Sequence, residues 1–336
     1  LVGGVGVWEF VPPAASRTLA PDMGSGSNQT VADGPEPAAV FPIKAGSVWS
    51  VSLTHDGKTL AVGAENGRVS LWDVPGKALV ADLHPDRDGE RQAHRGVVWA
   101  VDFTPDGSKL VTASDDGTVK VWELPAGKLL KSLGVPAPRA AAVSPNGVFV
   151  AVGDRSGSVR VFDITQDLLQ TEYQQESTVN GVAFAPDGLT LASIGADGKV
   201  VLYEIPGERK RATLTTAGGP IYGLGFSPDG DRLATGGWDG RVIVWDLKTG
   251  PRANTIAAHQ GGVWAVQFSP CGRLVASAGQ DGTTKLWEAE SGKEMMAFGR
   301  HRGVVHAMRF SGDGKLLATG GRDGDVRVWD AECHPK

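Results

Sequence analysis

Cysteine and long apolar runs are scarce in this sequence, and basic charge shows no excess. Its 336 residues include only Cys271 and Cys333, with 33 basic and 38 acidic side chains and a formal charge of −5. Two cysteines cannot build a disulfide framework or a four-thiolate zinc site, so we expect two free thiols in a reducing compartment. The absence of a basic excess argues against a dedicated nucleic-acid binder. No apolar run reaches the roughly 18 residues of a membrane span.

Tyrosine is also rare, at three residues, whereas the sequence contains ten tryptophans and 47 glycines. This glycine content is about twice the average usage of roughly 7%. Tight turns between strands consume glycine because their backbone adopts positive φ. The two excesses therefore suggest a β protein with many hairpins and a structural use for tryptophan.

An internal repeat accounts for much of both excesses. Seven segments end in a short apolar strand that carries an aromatic residue followed by an acid; the aromatics are Trp72, Trp122, Phe162, Tyr203, Trp245, Trp287 and Trp329. Successive aromatics are 50, 40, 41, 42, 42 and 42 residues apart. Upstream of each lies a run such as VDFTPDGSKLV (101–111), whose turn tripeptide between apolar runs predicts a β-hairpin. Units of about 42 residues with four short strands predict propeller blades.

These repeats resemble the WD-repeat (β-transducin-like) family over about residues 38–331, and their plain PDG turns favour a bacterial member. The resemblance implies an all-β, seven-bladed β-propeller of four-stranded antiparallel blades, lettered a to d from the channel outward. In the second blade we expect the strands at about 97–103, 109–114, 118–123 and 128–133. Too little chain follows the last strand c to complete its blade. We therefore expect residues 39–44 to supply its outer strand and close the ring.

The two ends of the chain differ from the repeats in composition. Residues 11–38 are rich in Pro, Ala, Gly and Ser, which is typical of a linker. We expect a largely irregular N-terminal extension over 1–37, a propeller over 38–331 and a C-terminal tail over 332–336.

Residues 3–9 (GGVGVWE) match the pattern of strand c, and Trp8 within residues 1–10 has three competing interpretations. The segment is the end of an upstream blade, an extra strand or plug, or the apolar end of a membrane span. Because the chain opens with Leu1 rather than Met, we expect a fragment of a longer protein.

Three repeats carry His, Ser or Thr, Asp and Trp at successive intervals of 18, 4 and 6 residues. These tetrads are His94/Thr112/Asp116/Trp122, His259/Ser277/Asp281/Trp287 and His301/Thr319/Asp323/Trp329. A hydroxyl, an imidazole and a carboxylate are also the parts of a nucleophilic triad, but one active site needs no three copies. The family resemblance instead implies a structural hydrogen-bonded chain that links the d–a loop to strands b and c. Blades 1 and 3 lack most of this set, so we expect them to be less rigid.

The other tryptophans fall at positions that the resemblance places on the top face, around the channel. One position is the entry to strand a, occupied by Trp49, Trp99, Arg139, Asn180, Tyr222, Trp264 and His306. The other directly precedes the b–c turn, occupied by Glu65, Asp115, Arg155, Ala196, Trp238, Gln280 and Arg322. We expect a partner to contact Trp49, Trp99, Arg139, Arg155, Tyr222, Trp238, Trp264, His306 and Arg322, because Trp, Tyr and Arg are enriched at interface hot spots. The alternative is that these aromatics pack together and stabilise the channel mouth.

The sequence lacks HExxH, P-loop and GxSxG motifs, so we expect no enzyme, no cofactor and no metal. The position three residues before the turn proline in each repeat was compared, because a ring of carboxylates around the channel would suggest catalysis. Asp102 is the only carboxylate among these seven residues, so a hydrolase hidden in the channel is the least favoured hypothesis. The surplus loop over residues 84–91 is either a lid beside Trp99 or a solvated loop.

The favoured function is a non-catalytic scaffold that binds a protein or peptide on an aromatic- and arginine-rich top face. We expect a monomeric, cytoplasmic propeller that neither binds nucleic acid nor inserts into a membrane. The alternative is a ligand-sensing or regulatory module of a larger signalling protein, tethered to a membrane through sequence upstream of Leu1. Such a module binds a small molecule or peptide at the channel mouth.

Overall fold

The computed structural model describes residues 34–85, 92–207, 209–248 and 253–331. Within these ranges every helix or strand element is a β-strand, and the strands form seven four-stranded antiparallel sheets. Each sheet is one blade, so the predicted all-β, seven-bladed architecture is confirmed.

The strands follow the repeat in chain order, beginning with β1 (Ala39–Pro42). Blade 1 contains β2 (Val48–Leu53), β3 (Thr59–Ala64), β4 (Val69–Asp73) and β5 (Ala78–Asp82). Blade 2 contains β6 (Val98–Phe103), β7 (Lys109–Ser114), β8 (Thr118–Glu123) and β9 (Lys128–Gly134). Blade 3 contains β10 (Pro138–Val143), β11 (Phe149–Asp154), β12 (Ser158–Asp163) and β13 (Leu168–Gln174).

The second half of the ring repeats the pattern. Blade 4 contains β14 (Val179–Phe184), β15 (Thr190–Gly195), β16 (Lys199–Glu204) and β17 (Lys210–Thr215). Blade 5 contains β18 (Ile221–Phe226), β19 (Arg232–Gly237), β20 (Arg241–Asp246) and β21 (Ala253–Ala257). Blade 6 contains β22 (Val263–Phe268), β23 (Leu274–Gly279), β24 (Thr284–Glu288) and β25 (Glu294–Ala297). Blade 7 contains β26 (Val305–Phe310), β27 (Leu316–Gly321), β28 (Asp325–Asp330) and β1.

The ring closes through β1, as the sequence predicted. This strand pairs antiparallel with β28, and Ala39 lies opposite Val328. Its Phe41 side chain is buried and meets Trp72 of blade 1 edge-on, with 5.5 Å between ring centroids. An N-terminal strand thus completes the last blade and covers an edge that would otherwise be open to pairing.

Burial changes from the channel outward within each blade. In blade 2, β7 is buried along nearly its whole length because neighbouring blades cover both of its faces. The outermost strand β9 alternates exposed and half-buried residues, as expected of a strand with one solvent face. The turn between strands b and c requires positive φ, and Gly117 supplies it at φ 82°.

Every innermost strand has the same irregularity at its second residue. In all seven blades the pairing register between strands a and b shifts between the first and third residues of strand a. A β-bulge of this kind leaves one residue out of the ladder and redirects its side chain. The bulged positions are Trp49, Trp99, Arg139, Asn180, Tyr222, Trp264 and His306.

Some predictions concern residues outside the described ranges, among them residues 1–33 with Trp8, loop residues 86–91 and Cys333. Cys271 is disulfide-bonded, so the predicted free thiol at this position is wrong. In the part of the chain that the structure describes, no helix is long and apolar enough to cross a membrane.

Candidate binding site at the channel mouth

The seven bulged side chains meet at one end of the central channel, here called the channel mouth. They line a cavity of about 300 Å³ that extends down the innermost strands. This end is the top face, where every strand a begins and where the b–c turns and d–a loops also lie. Residues 40 to 50 positions apart in the sequence are brought together there because each blade contributes one bulge.

Aromatic rings fill the mouth on the side of blades 5, 6, 7, 1 and 2. Trp49 stacks on His306 with 4.0 Å between ring centroids and meets Trp99 edge-on at 4.7 Å. Trp264 stacks on Tyr222 at 4.7 Å and meets His306 edge-on at 5.2 Å. These five rings form one continuous cluster, so they pack together and also line the cavity.

Trp238 extends the cluster outward. It lies on the b–c turn of blade 5, with its ring centroid 6.2 Å from that of Tyr222. Its side chain is 46% exposed, the largest exposed aromatic surface among the described residues. Large exposed apolar groups beside polar ones are typical of interaction surfaces.

Polar atoms in the aromatic cluster lack partners. Nε1 of Trp49, Trp99 and Trp264 and Nδ1 of His306 are buried without a hydrogen bond to any described residue. Each such atom costs about 1–3 kcal/mol relative to a satisfied one. Burial, with a smaller effect from the charge of Arg322, lowers the pKa of His306 to about 4, so the imidazole is neutral at pH 7.

Arg139 is the charged member of the mouth. Its guanidinium carbon lies 3.9 Å from the centroid of the Trp99 ring, a cation–π contact. Among the described residues it has no hydrogen-bond or ion-pair partner. Burial lowers its pKa, and the nearby charge of Arg155 lowers it further. Arg155 itself is half-exposed and donates to Asp115 at 3.1 Å.

Asn180 and Tyr222 face the same part of the mouth. Asn180 Nδ2 donates one N–H to the backbone carbonyl of Ile221 at 3.0 Å, which leaves its second N–H available as a donor. The Tyr222 hydroxyl has no hydrogen-bond partner among the described residues. Burial raises its pKa, while the charge of Arg139 lowers it, so the two side chains are electrostatically close. Arg322, the remaining predicted contact residue, is exposed on the b–c turn of blade 7.

Deeper in the channel, the one carboxylate of the predicted ring is already engaged. Asp102 is buried and accepts a hydrogen bond from Arg309 at 3.0 Å. Gln267, in the same ring, accepts from the backbone N–H of Phe310 at 2.9 Å. Among the described residues, no three His, Cys, Asp or Glu side chains are arranged to hold a metal ion.

The tetrad residues lie away from the mouth, between the strands of blades 2, 6 and 7. In blade 2, His94 Nδ1 lies 2.9 Å from Asp116, and Nε2 lies 2.7 Å from the Thr112 hydroxyl, which accepts from Trp122 Nε1 at 3.0 Å. The carboxylate can only accept, so Nδ1 carries the proton and Nε2 accepts from the hydroxyl. Burial would raise the pKa of Asp116, but hydrogen bonds from His94 and Thr118 hold it below its usual value.

The same series of hydrogen bonds recurs in the other two blades that have a complete tetrad. His259 contacts Asp281 at 3.1 Å and Ser277 at 2.7 Å, and Trp287 donates to Ser277 at 2.8 Å. His301 contacts both Asp323 and Thr319 at 2.9 Å, and Trp329 donates to Thr319 at 2.9 Å. In each of these blades the Ser or Thr hydroxyl is hydrogen-bonded to the ring nitrogens of both the His and the Trp. This series of hydrogen bonds connects strand b to strand c and to the d–a loop.

Blades 3 and 4 each contain a polar cluster in place of the tetrad, which the sequence patterns above did not predict. In blade 4, Gln175 contacts Ser193 and donates to the Tyr203 hydroxyl at 2.8 Å. Gln175 stands 18 residues before Ser193, the interval of the histidines, so this spacing was a usable signal. In blade 3, the fully buried Asp154 accepts from Arg160 at 2.7 Å. No comparable spacing signals that pair.

The fold and the channel mouth define a seven-bladed propeller with a polar-aromatic cavity at one end of its axis. A family model described as "WD domain, G-beta repeat" matches residues 36–73, 89–123, 127–163, 166–204, 209–246, 250–288 and 292–330. The chain therefore belongs to the WD40 repeat family, whose propellers are generally non-catalytic scaffolds that bind proteins or peptides.

A curated relative is similar over a short stretch. The chain is 35% identical over 85 residues to WD repeat-containing protein 90 of Xenopus tropicalis. This stretch is 25% of the chain and spans only 4% of that protein's length.

Proposed function

We propose that this propeller is a non-catalytic scaffold that binds a protein or peptide at the channel mouth and the adjoining b–c turns. The observation that carries the proposal is the aromatic cluster of the mouth, which ends at the exposed Trp238. A bound chain that covers this ring removes its apolar surface from water, which favours the bound state.

The composition of the mouth suits peptide recognition. Trp and Tyr bury large areas with few rotatable bonds, and Arg supplies charge-assisted hydrogen bonds. Packing among Trp49, Trp99 and His306 holds these rings in place before a partner arrives, which lowers the entropic cost of binding. We further propose that the protein acts as a monomeric, cytoplasmic propeller and does not bind nucleic acid.

A second candidate function is ligand sensing within a larger signalling protein. The channel cavity of about 300 Å³ favours it, because this volume lies at the lower end of small-molecule sites. A small molecule would fit inside the mouth without contacting Trp238, whereas a peptide or protein would reach the b–c turns. Dependence of binding on Trp238 therefore separates the two functions.

The test compares partner capture by the parent chain, Trp238→Ala and Leu189→Ala. Leu189 is 58% exposed at the a–b turn of blade 4, on the opposite face, and provides a matched loss of exposed apolar surface. We expect Trp238→Ala to weaken capture at least tenfold, as hot-spot truncations do, and Leu189→Ala to leave it unchanged. Equal capture by all three chains would contradict the proposal.

A further inference from the structure

We propose that Arg139, Asn180 and the Tyr222 hydroxyl form a carboxylate subsite within the channel mouth. This inference rests on the proposed function and names the chemistry of the partner: an acidic side chain or a C-terminal carboxylate that enters the mouth from the top face. The three residues occupy the same bulged position in blades 3, 4 and 5.

The first argument is the state of Arg139. Its guanidinium carbon lies over the Trp99 ring, 3.9 Å from the centroid, and its N–H groups have no hydrogen-bond acceptor among the described residues. Guanidinium carries five donors in a rigid plane and matches a planar carboxylate with two parallel hydrogen bonds. A largely buried cation without an ion-pair partner among the described residues is costly. An entering anion removes that cost.

The second argument is space. Rings occupy the mouth in blades 5, 6, 7, 1 and 2, but blades 3 and 4 line the cavity with small residues below Arg139 and Asn180. These are Ala140, Ala141, Ala142, Gly181 and Ala183. The run Pro138-Arg139-Ala140-Ala141-Ala142 makes strand a of blade 3 the least bulky of the seven. Val143, Val182 and Phe184 are the larger lining residues of these two blades. The small residues next to Arg139 and Asn180 leave cavity volume for the side chain that we propose enters.

The third argument concerns charge. Among the described residues on this side of the channel, Arg155 pairs with Asp115 and Arg309 pairs with Asp102. The charge of Asp115 also acts on Arg139, but one acid beside Arg139 and Arg155 leaves a net positive charge, which balances one carboxylate. A phosphate carries up to two negative charges and would leave one unbalanced. The Tyr222 hydroxyl supplies a further donor to a carboxylate oxygen.

Four alanine-based pentapeptides test the subsite on the full chain. Three are capped and differ only at the central residue, which is glutamate, glutamine or phosphoserine. The fourth has a free C-terminal carboxylate and no acidic side chain. Binding is followed by tryptophan fluorescence, because Trp99 lies under Arg139, and by calorimetry. The variants are Arg139→Gln, Arg139→Lys and, as matched control, Arg241→Gln, which removes an exposed guanidinium outside the predicted contact residues. The melting temperature of each variant is measured.

The expected result is glutamate binding at least tenfold tighter than glutamine in the parent and in Arg241→Gln. This preference should vanish in Arg139→Gln and shrink in Arg139→Lys, which keeps the charge but not the planar fork. Equal preference for the peptide with a free C-terminus would assign the subsite to chain ends as well as to side chains.

Several results would overturn the subsite. They are equal binding of the glutamate and glutamine peptides, a preference that survives Arg139→Gln, tighter binding of phosphoserine, or no binding of any peptide at about 10 mM. If partner capture still depends on Trp238, any of these results leaves the proposed function standing and removes only the carboxylate subsite. Loss of Trp238 dependence with an intact glutamate preference would instead reject the peptide scaffold.

Discussion

Arg309 of blade 7 donates a hydrogen bond to Asp102 of blade 2 at 3.0 Å, although blade 1 lies between these two blades. Asp102 also accepts from the backbone N–H of Val143 in blade 3 at 2.9 Å and from the Ser52 hydroxyl in blade 1 at 3.5 Å. One buried carboxylate therefore connects the innermost strands of four consecutive blades.

Loss of the Asp102 carboxylate should destabilise the ring more than loss of its arginine partner. We expect Asp102→Ala to lower the free energy of unfolding by about 2–3 kcal/mol, because a buried N–H and a guanidinium lose their acceptor. Arg309 is 43% exposed, so Arg309→Gln should cost less than about 1 kcal/mol. Urea unfolding measures both, and equal costs would contradict the assignment of stability to the buried hydrogen bonds.

The tetrads predict a difference between two threonines at equivalent positions. The Thr319 hydroxyl forms hydrogen bonds with both Trp329 and His301. The equivalent Thr235 hydroxyl of blade 5 forms one with Trp245 and, among the described residues, none with an imidazole. Thr319→Val should therefore leave two buried groups unpaired and Thr235→Val only one. At about 1–3 kcal/mol for each unpaired group, Thr319→Val should be more destabilising by at least about 1 kcal/mol.

Urea unfolding of both valine variants checks this difference. The indole of the mutated blade provides a local probe, since loss of its hydrogen bond shifts its fluorescence. Equal destabilisation by the two substitutions would show that the histidine contributes nothing through the hydroxyl.

Blade 3 lacks a tetrad, but its b–c turn has another anchor. The carboxylate of Asp154 accepts from the backbone N–H groups of Ser156 and Ser158 as well as from Arg160. Arg160→Gln removes one partner of a buried pair and should cost about 3 kcal/mol or more. In blade 1, Arg68→Gln breaks a more exposed pair with Asp82 and should cost less than about 1 kcal/mol.

Hydrogen exchange at residues 154–158 measures the first effect locally. We expect this turn to be protected in the parent chain and to exchange far faster in Arg160→Gln. Fast exchange in the parent would instead support the sequence-based expectation that blade 3 is less rigid.

His306 predicts a loss of stability in mild acid. Its pKa is about 4 in the folded chain against an ordinary value of 6.5. Between these pH values the unfolded state binds more protons, so stability falls as the pH drops through this window. The loss from this group approaches about 3 kcal/mol near pH 4.

Urea unfolding between pH 7 and pH 4 measures this slope, with His306→Gln as the control. The variant should show a shallower dependence on pH because the other histidines are unchanged. Parallel curves for the two chains would contradict a buried, neutral His306.

Much of the fold could be predicted because its signals are local. In blade 2, the strands expected at 109–114 and 118–123 match β7 and β8 residue for residue, since a tight turn fixes the register of each hairpin. The closing strand was also predicted from the chain ends, but it stops at Pro42 rather than at residue 44.

The site was less predictable. The list of residues at the mouth follows from the repeat, but the bulge that redirects them has no distinct sequence signature in these strands. The stack of Trp49 on His306 and the pair of Asp102 with Arg309 join positions more than 200 residues apart.

The sequence alone determined the number of blades, the position of each hairpin and the identity of the closing strand, because these depend on neighbours within one repeat. Only the tertiary structure decided that, among the described residues, Arg139 has no ion-pair partner and four polar atoms of the aromatic cluster have no hydrogen-bond partner, and that Asp102 is engaged. The reason is geometric: distances between side chains of different blades depend on how the sheets pack around the axis, and no local pattern encodes that packing.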